Sequence, residues 1–118
     1  VKEEKRDYLD YLHDILDAAR DALEFTDDLT LEEFKKDRKT VYAATRAIEI
    51  IGEATKKLPK SLTGKYPDIP WKDMAGMRDK LIHGYAGVDT EVLWQTIEKD
   101  VPKLKAQIGK VLSDIEKK

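Results

Sequence analysis

The sequence predicts an all-α protein: an up-and-down bundle of four amphipathic helices with short extra helical turns. Three observations carry that expectation. Charged residues make up 39% and hydrophobic ones 41%, with only six Gly and four Pro, which suits neither a disordered polyelectrolyte nor a turn-rich β protein. Apolar groups recur at a 3.6-residue period over long stretches. Capping residues, Gly and Pro fall between those stretches, where helices should start and stop.

From Lys5 to about Thr26 the first helix carries Tyr8, Leu12, Ile15, Ala19 and Ala22 on one stripe, widened by Tyr11, Leu16 and Leu23. Asp27 and Asp28 interrupt it. Thr30-Leu31-Glu32-Glu33 is then a capping box that starts a short helix. After Asp37, itself able to cap, Val41, Ala44, Ile48, Ile51, Ala54 and Leu58 define a second long helix that stops before Pro59. Gly64, Pro67 and Pro70 mark the stretch from Pro59 to Pro70 as a loop with room for one helical turn. Pro70 suits the first position of a third helix carrying Trp71, Met74, Met77 and Leu81, which should end near Gly84. Asp89 or Thr90 caps a fourth, whose Leu93, Ile97, Val101, Leu104, Ile108, Val111 and Ile115 form a heptad-like seam through Pro102. A kink is expected at that proline, at a cost of roughly 3 kcal/mol that seam packing must offset.

At 118 residues the chain is expected to form one domain, residues 1–118, with one core. The absence of cysteine removes disulfides, thiolate metal sites and a Cys nucleophile, and two histidines leave little for a His-based metal centre. No apolar run approaches the roughly 18 residues that span a bilayer, and Val1-Lys2-Glu3-Glu4-Lys5 has no signal-peptide pattern, so a cytoplasmic location is the default expectation. The lack of Asn, with only Gln95 and Gln107 as side-chain amides, is a bias seen in heat-adapted proteins. Net charge is −2, but it divides unevenly along the chain. Residues 1–37 hold six basic and thirteen acidic groups, whereas residues 56–85 hold seven basic and three acidic. An anionic ligand is therefore drawn to the middle segment and repelled by the first helix.

Within that basic segment lies Met77-Arg78-Asp79-Lys80-Leu81-Ile82-His83-Gly84-Tyr85. Histidine is the side chain suited to proton transfer near neutral pH, and arginine the one shaped to clamp a phosphate with two parallel hydrogen bonds. The pairing suits phosphodiester cleavage. On an uninterrupted helix Arg78 and His83 stand about 140° apart around the axis, so they converge only if the last turn loosens or a second subunit completes the site. The plainer alternative is a histidine that complements a helix dipole. The second long helix presents Tyr42, Arg46, Glu49 and Glu53 at steps of four, three and four, a polar stripe that reads either as part of a site or as an internal ion-pair network. His13 on the acidic first helix reads as a boundary residue, and Trp94 as core or an intersubunit contact.

Arg78-x4-His83-x-Tyr85, with Arg46-Ala-Ile-Glu49-Ile-Ile-Gly52-Glu53-Ala54 upstream and the Trp71-x-x-Met74-x-x-Met77 lead-in, resembles the HEPN superfamily, and specifically its HepT branch. The resemblance covers nearly the whole chain. It implies a metal-independent endoribonuclease, needing no cofactor, that acts as the toxin of a toxin–antitoxin pair. The implied partner is an MntA-type minimal nucleotidyltransferase that silences the toxin by attaching AMP to the motif tyrosine, Tyr85. A homodimer is also implied, its two motifs facing one another across a cleft, which would resolve the angular difficulty. On that basis His83 is the expected general acid or base and Arg78 the stabiliser of transition-state charge, leaving a 2′,3′-cyclic phosphate. Glu53 is the expected group to orient Arg78 or His83, while Arg46, Lys72 and Lys80 are expected to bind RNA phosphates. The alternatives are a non-catalytic binding subunit of a nucleotidyltransferase complex and a plain dimerisation module.

Overall fold

The computed structural model describes residues 7–82 and 87–117. His83 and Tyr85 lie outside the described residues. Helix accounts for 79% of the structure and no strand occurs among the described residues, so the all-α expectation holds. The helices are α1 (Tyr8–Thr26), α2 (Leu31–Lys36), α3 (Arg38–Lys56), α4 (Lys60–Thr63), α5 (Trp71–Ala75), α6 (Met77–Leu81), α7 (Thr90–Gln95) and α8 (Val101–Glu116). A π-helical turn, Thr96–Asp100, joins the last two.

The starts follow local chemistry. Asp7 accepts from the Leu9 amide, Thr30 and Glu33 complete the capping box of α2, Asp37 accepts from Thr40, and Asp89 accepts from Val92. Asp37 receives both the Thr40 hydroxyl and its amide, and these two hydrogen bonds hold its carboxyl below the usual carboxylate range.

The apolar stripes meet as their period requires. Leu12, Ile15, Ala19 and Ala22 of α1 pack with Ala44, Ile48 and Ile51 of α3, and α8 closes the other flank of α1 through Leu104, Ile108 and Val111. α5 and α6 lie on α3, burying Met74, Met77 and Leu81. α2, short as it is, buries Phe34 completely against Trp94 of α7, ring centroids 5.2 Å apart. Trp94 is thus a core residue. A buried Phe contributes about 1.5–3 kcal/mol toward the ordering of a six-residue helix that could not stand alone. Buried Thr26, Thr45, Thr55 and Thr96 each return their hydroxyl to the carbonyl four residues back, so no apolar wall faces an unpaired oxygen there.

One expectation needs correction and another gains a local detail. The third helix is not continuous to Gly84: it breaks at Gly76 (φ −98°, ψ 8°) into α5 and α6, and helical geometry ends at Leu81, with Ile82 extended. The fourth runs on through Pro102 as the sequence predicts, with a π turn just upstream. The π turn absorbs the strain just upstream, with the Val101 amide reaching back to the Thr96 carbonyl and Pro102 entering the first turn of α8, where a missing N–H costs little. The wider turn also keeps Leu93, Ile97 and Val101, each four residues apart, on the core side.

Among the described residues no helix is long and apolar enough to cross a membrane. The large exposed hydrophobics among them are Tyr8, Phe25 and Tyr42, on α1 and α3. Tyr8, expected in the core stripe of the first helix, therefore sits at its fringe.

Candidate active site

α6 is positioned through α3. Gly52 has no side chain, and a Cβ built there stands 3.2 Å from the Ala75 carbonyl oxygen and 3.5 Å from that of Met74. Glycine therefore lets the end of α5 rest directly on α3. Trp71, at the start of α5, donates its indole N–H to the Tyr66 carbonyl (3.0 Å), which ties the preceding loop to the same platform. Tyr66 in turn faces Asp114 of α8, and burial together with that carboxylate raises its phenol pKa. Gly52→Val puts two further methyl groups against the Ala75 and Met74 backbone. The expected loss is about 1–3 kcal/mol, read as a lower melting temperature, with the position of Arg78 disturbed as well.

With Ala75 level with Gly52 and the two segments antiparallel, three residues forward on one meets three residues back on the other. Arg78 accordingly reaches Glu49, its Nε 3.2 Å from Oε2. The other carboxylate oxygen of Glu49 lies 3.5 Å from Nη1 of Arg46. Glu49 is a quarter exposed, Arg78 about half and Arg46 69%, so the carboxylate is the sheltered member and holds both cations at a surface. Two arginines anchored on one carboxylate suit an anion such as a phosphodiester, since a guanidinium bound at one edge keeps its other N–H groups free.

The remaining sequence-predicted residues distribute as follows. Glu53 lies on the same stripe but pairs with Lys56 (3.7 Å) in solvent and not with Arg78; the arginine's carboxylate is Glu49. Lys72 is exposed on α5. Lys80, nearly opposite Arg78 around the helix, lines a cleft of about 260 Å³ between α5–α6 and α8, with Asp73, Asp100, Lys103 and Gln107. The structure thus brings Arg46 and Arg78 together and places Lys80 on another face. His13 is half-exposed and faces Glu116 at 3.2 Å.

Because α6 ends at Leu81, the angle of an uninterrupted helix does not govern the relation of Arg78 to His83. The flanks of the motif are fixed. Ile82 and Val88 form an antiparallel bridge, the Asp89 amide donates to the Leu81 carbonyl (2.8 Å), and Gly87 takes φ 106°, a backbone conformation that favours glycine. The chain therefore leaves α6 and returns to α7 between clamped ends.

The described residues are thus all-α, with α5 resting on Gly52 of α3 and Arg78 of α6 held by Glu49, and comparison with known sequences identifies the family. The chain belongs to the HepT-like ribonuclease family, whose model, described as Ribonuclease HepT-like, matches residues 15–111. A protein of Thermococcus cleftensis named "Probable ribonuclease HepT" is 50% identical over 107 residues, covering 91% of this chain and 97% of the relative. One of Methanocaldococcus jannaschii named "Putative RNase" is 46% identical over 114 residues, covering 97% and 98%. A longer protein of the same organism, named as a gamma-glutamylcyclotransferase and putative RNase, is 42% identical over 113 residues, which span 96% of this chain and 51% of that one. No solved structure matches.

Proposed function

We propose that the chain is a metal-independent endoribonuclease, the toxin of a toxin–antitoxin pair, working in the cytoplasm as a homodimer. The observation that carries this reading is Arg78 held by Glu49 at the surface, five residues before His83, in a chain of the HepT-like family. In the proposed reaction the ribose 2′-oxygen attacks the adjacent phosphorus as His83 takes its proton, and the bond to the 5′-oxygen breaks. The same histidine, or its twin, then protonates that leaving oxygen. Arg78 faces the extra negative charge of the transition state, and its tether to Glu49 fixes the guanidinium before substrate arrives. Glu53, on the same stripe, is proposed to act on His83 rather than on Arg78. Arg46, Lys72 and Lys80 would contribute to phosphate binding.

Such a reaction leaves a 2′,3′-cyclic phosphate and a 5′-hydroxyl. Mass spectrometry of RNA fragments made by the purified protein tests it. Cyclic phosphate or its 2′/3′-monophosphate hydrolysis product is expected, whereas fragments ending in a 3′-hydroxyl with a 5′-phosphate contradict the mechanism.

The homodimer is proposed from the needs of the site; the exposed large hydrophobics among the described residues, Tyr8, Phe25 and Tyr42, lie on α1 and α3. A second subunit would let Arg78 of one copy serve with His83 of the other. Sedimentation at micromolar concentration should give twice 13.6 kDa. Mixing Arg78→Ala with His83→Ala protein should then restore cleavage, since mixed dimers hold one intact Arg–His pair across the interface. A 13.6 kDa species at that concentration, or no recovery on mixing, counts against the shared site.

A further inference from the structure

The polar stripe of α3 continues beyond the Arg46–Glu49–Arg78 cluster. Arg38, Tyr42, Arg46 and Glu49 fall within about 80° of one another around the helix axis, opposite the face that carries Ala44, Ile48 and Ile51 into the core. Tyr42 is 62% exposed, the most exposed large hydrophobic residue among those described. Arg38 donates through Nη2 to the Tyr42 hydroxyl (2.9 Å), with its guanidinium carbon 5.6 Å from the ring centroid. Arg38 thus lies over the ring and bonds its hydroxyl, engaging a phenol rather than a carboxylate. Among the described residues no carboxylate pairs with Arg38, so it holds positive charge beside a ring that remains mostly exposed.

We propose that Arg38, Tyr42 and Arg46 form a binding subsite for single-stranded RNA, in which a base stacks on Tyr42, the flanking arginines hold its phosphates, and the strand runs along α3 to Arg78. This rests on the ribonuclease reading and adds to it where the substrate lies. Tyr42 and Glu49 are seven residues apart, about 10 Å along the axis, within reach of neighbouring nucleotides of one strand. Every base has a π face, so the platform accepts any sequence. Arginine on either side suits phosphates better than lysine would, because the planar fork matches two phosphate oxygens and itself stacks. Duplex RNA gains nothing from such a platform, since its bases are already stacked.

The test uses the full chain carrying His83→Ala, so that RNA binds without being consumed, and a short single-stranded RNA containing 2-aminopurine as the probe. Quenching of the probe on binding is expected. Adding Tyr42→Ala should weaken binding by roughly 5- to 150-fold, while Tyr42→Phe, which keeps the stacking face, retains most of it. Adding Arg38→Ala should weaken binding and flatten its salt dependence. With His83 restored, the effect of Tyr42→Ala should fall mainly on KM for an oligonucleotide. If wild type cuts RNA but Tyr42→Ala changes neither affinity nor KM, the subsite is wrong and the ribonuclease reading stands. If Tyr42→Ala instead dissociates the protein on sedimentation, Tyr42 belongs to a protein interface and the subsite is again wrong. If wild type neither cuts nor binds the probe, both readings fall together.

Discussion

Replacing His83 with alanine is expected to slow RNA cleavage by roughly 10²- to 10⁴-fold, the range for loss of an acid–base group, while helicity and melting temperature stay unchanged. The packing that holds α6 rests on buried Met77 and Leu81, the bridge of Ile82 to Val88 and the bond from the Asp89 amide to Leu81, none of which the substitution alters. Arg78→Lys should also slow cleavage, and for a different reason. An ammonium can still pair with Glu49, so charge is preserved, but the N–H groups that face a phosphate in one plane are gone. Rates measured at saturating RNA, together with thermal melting of each variant, check both. Unchanged rates in both variants would place the chemistry elsewhere.

The second large effect concerns Tyr85. If the partner is the MntA-type nucleotidyltransferase that the family resemblance implies, co-expression with it should add one or more AMP units to wild type, seen in intact mass, and abolish cleavage; Tyr85→Phe should gain none and remain active. In the proposed transfer the tyrosine hydroxyl attacks the α-phosphate of a nucleoside triphosphate, its proton goes to solvent or a base, and pyrophosphate leaves. The product carries a bulky anion two residues after His83, close in sequence to Arg78, which would compete with RNA phosphate for the same cations. Inhibition should therefore be competitive with RNA and occur without unfolding. Full modification of Tyr85→Phe would assign the regulatory tyrosine to another position.

Much of the fold was legible because the signals were local. The period of α1 and α3, the capping box at Thr30–Glu33 and the caps at Asp37 and Asp89 depend on residues within a few positions of each other, and the structure places helices there. The break at Gly76 was not legible. Its cause is the docking of Ala75 onto Gly52, a contact between residues distant in sequence. The π turn was hidden for a related reason: Pro102 announces local strain, but where the helix widens upstream depends on which turn keeps Ile97 and Val101 buried. Phe34 drew no notice on a six-residue helix, because only the position of Trp94 makes it core.

The site was legible in its residue types and less so in its pairing. Arg46, Glu49, Glu53 and Arg78 all stood out, and the sequence expectation favoured Glu53 as the group that orients Arg78 or His83. Glu49 and Glu53 lie only about 40° apart around α3, so helical spacing cannot choose between them. The choice is made along the axis, by the level at which α5 rests on Gly52, and this brings Arg78 to Glu49. Lys80 shows the converse. It is two residues from Arg78 and likewise cationic, yet it turns to the cleft beside α8. Arg38 gave no signal of its own, since its contact with Tyr42 is a matter of side-chain geometry.

The central claim is that this chain cuts RNA by acid–base chemistry at the Arg78–His83 motif without a metal. The most direct measurement is incubation of the purified protein with end-labelled single-stranded RNA in excess chelator, beside His83→Ala protein purified in parallel. The account predicts internal cleavage by wild type and its near-complete loss in the variant. Cleavage that chelator abolishes, or that the variant performs as fast as wild type, would contradict it.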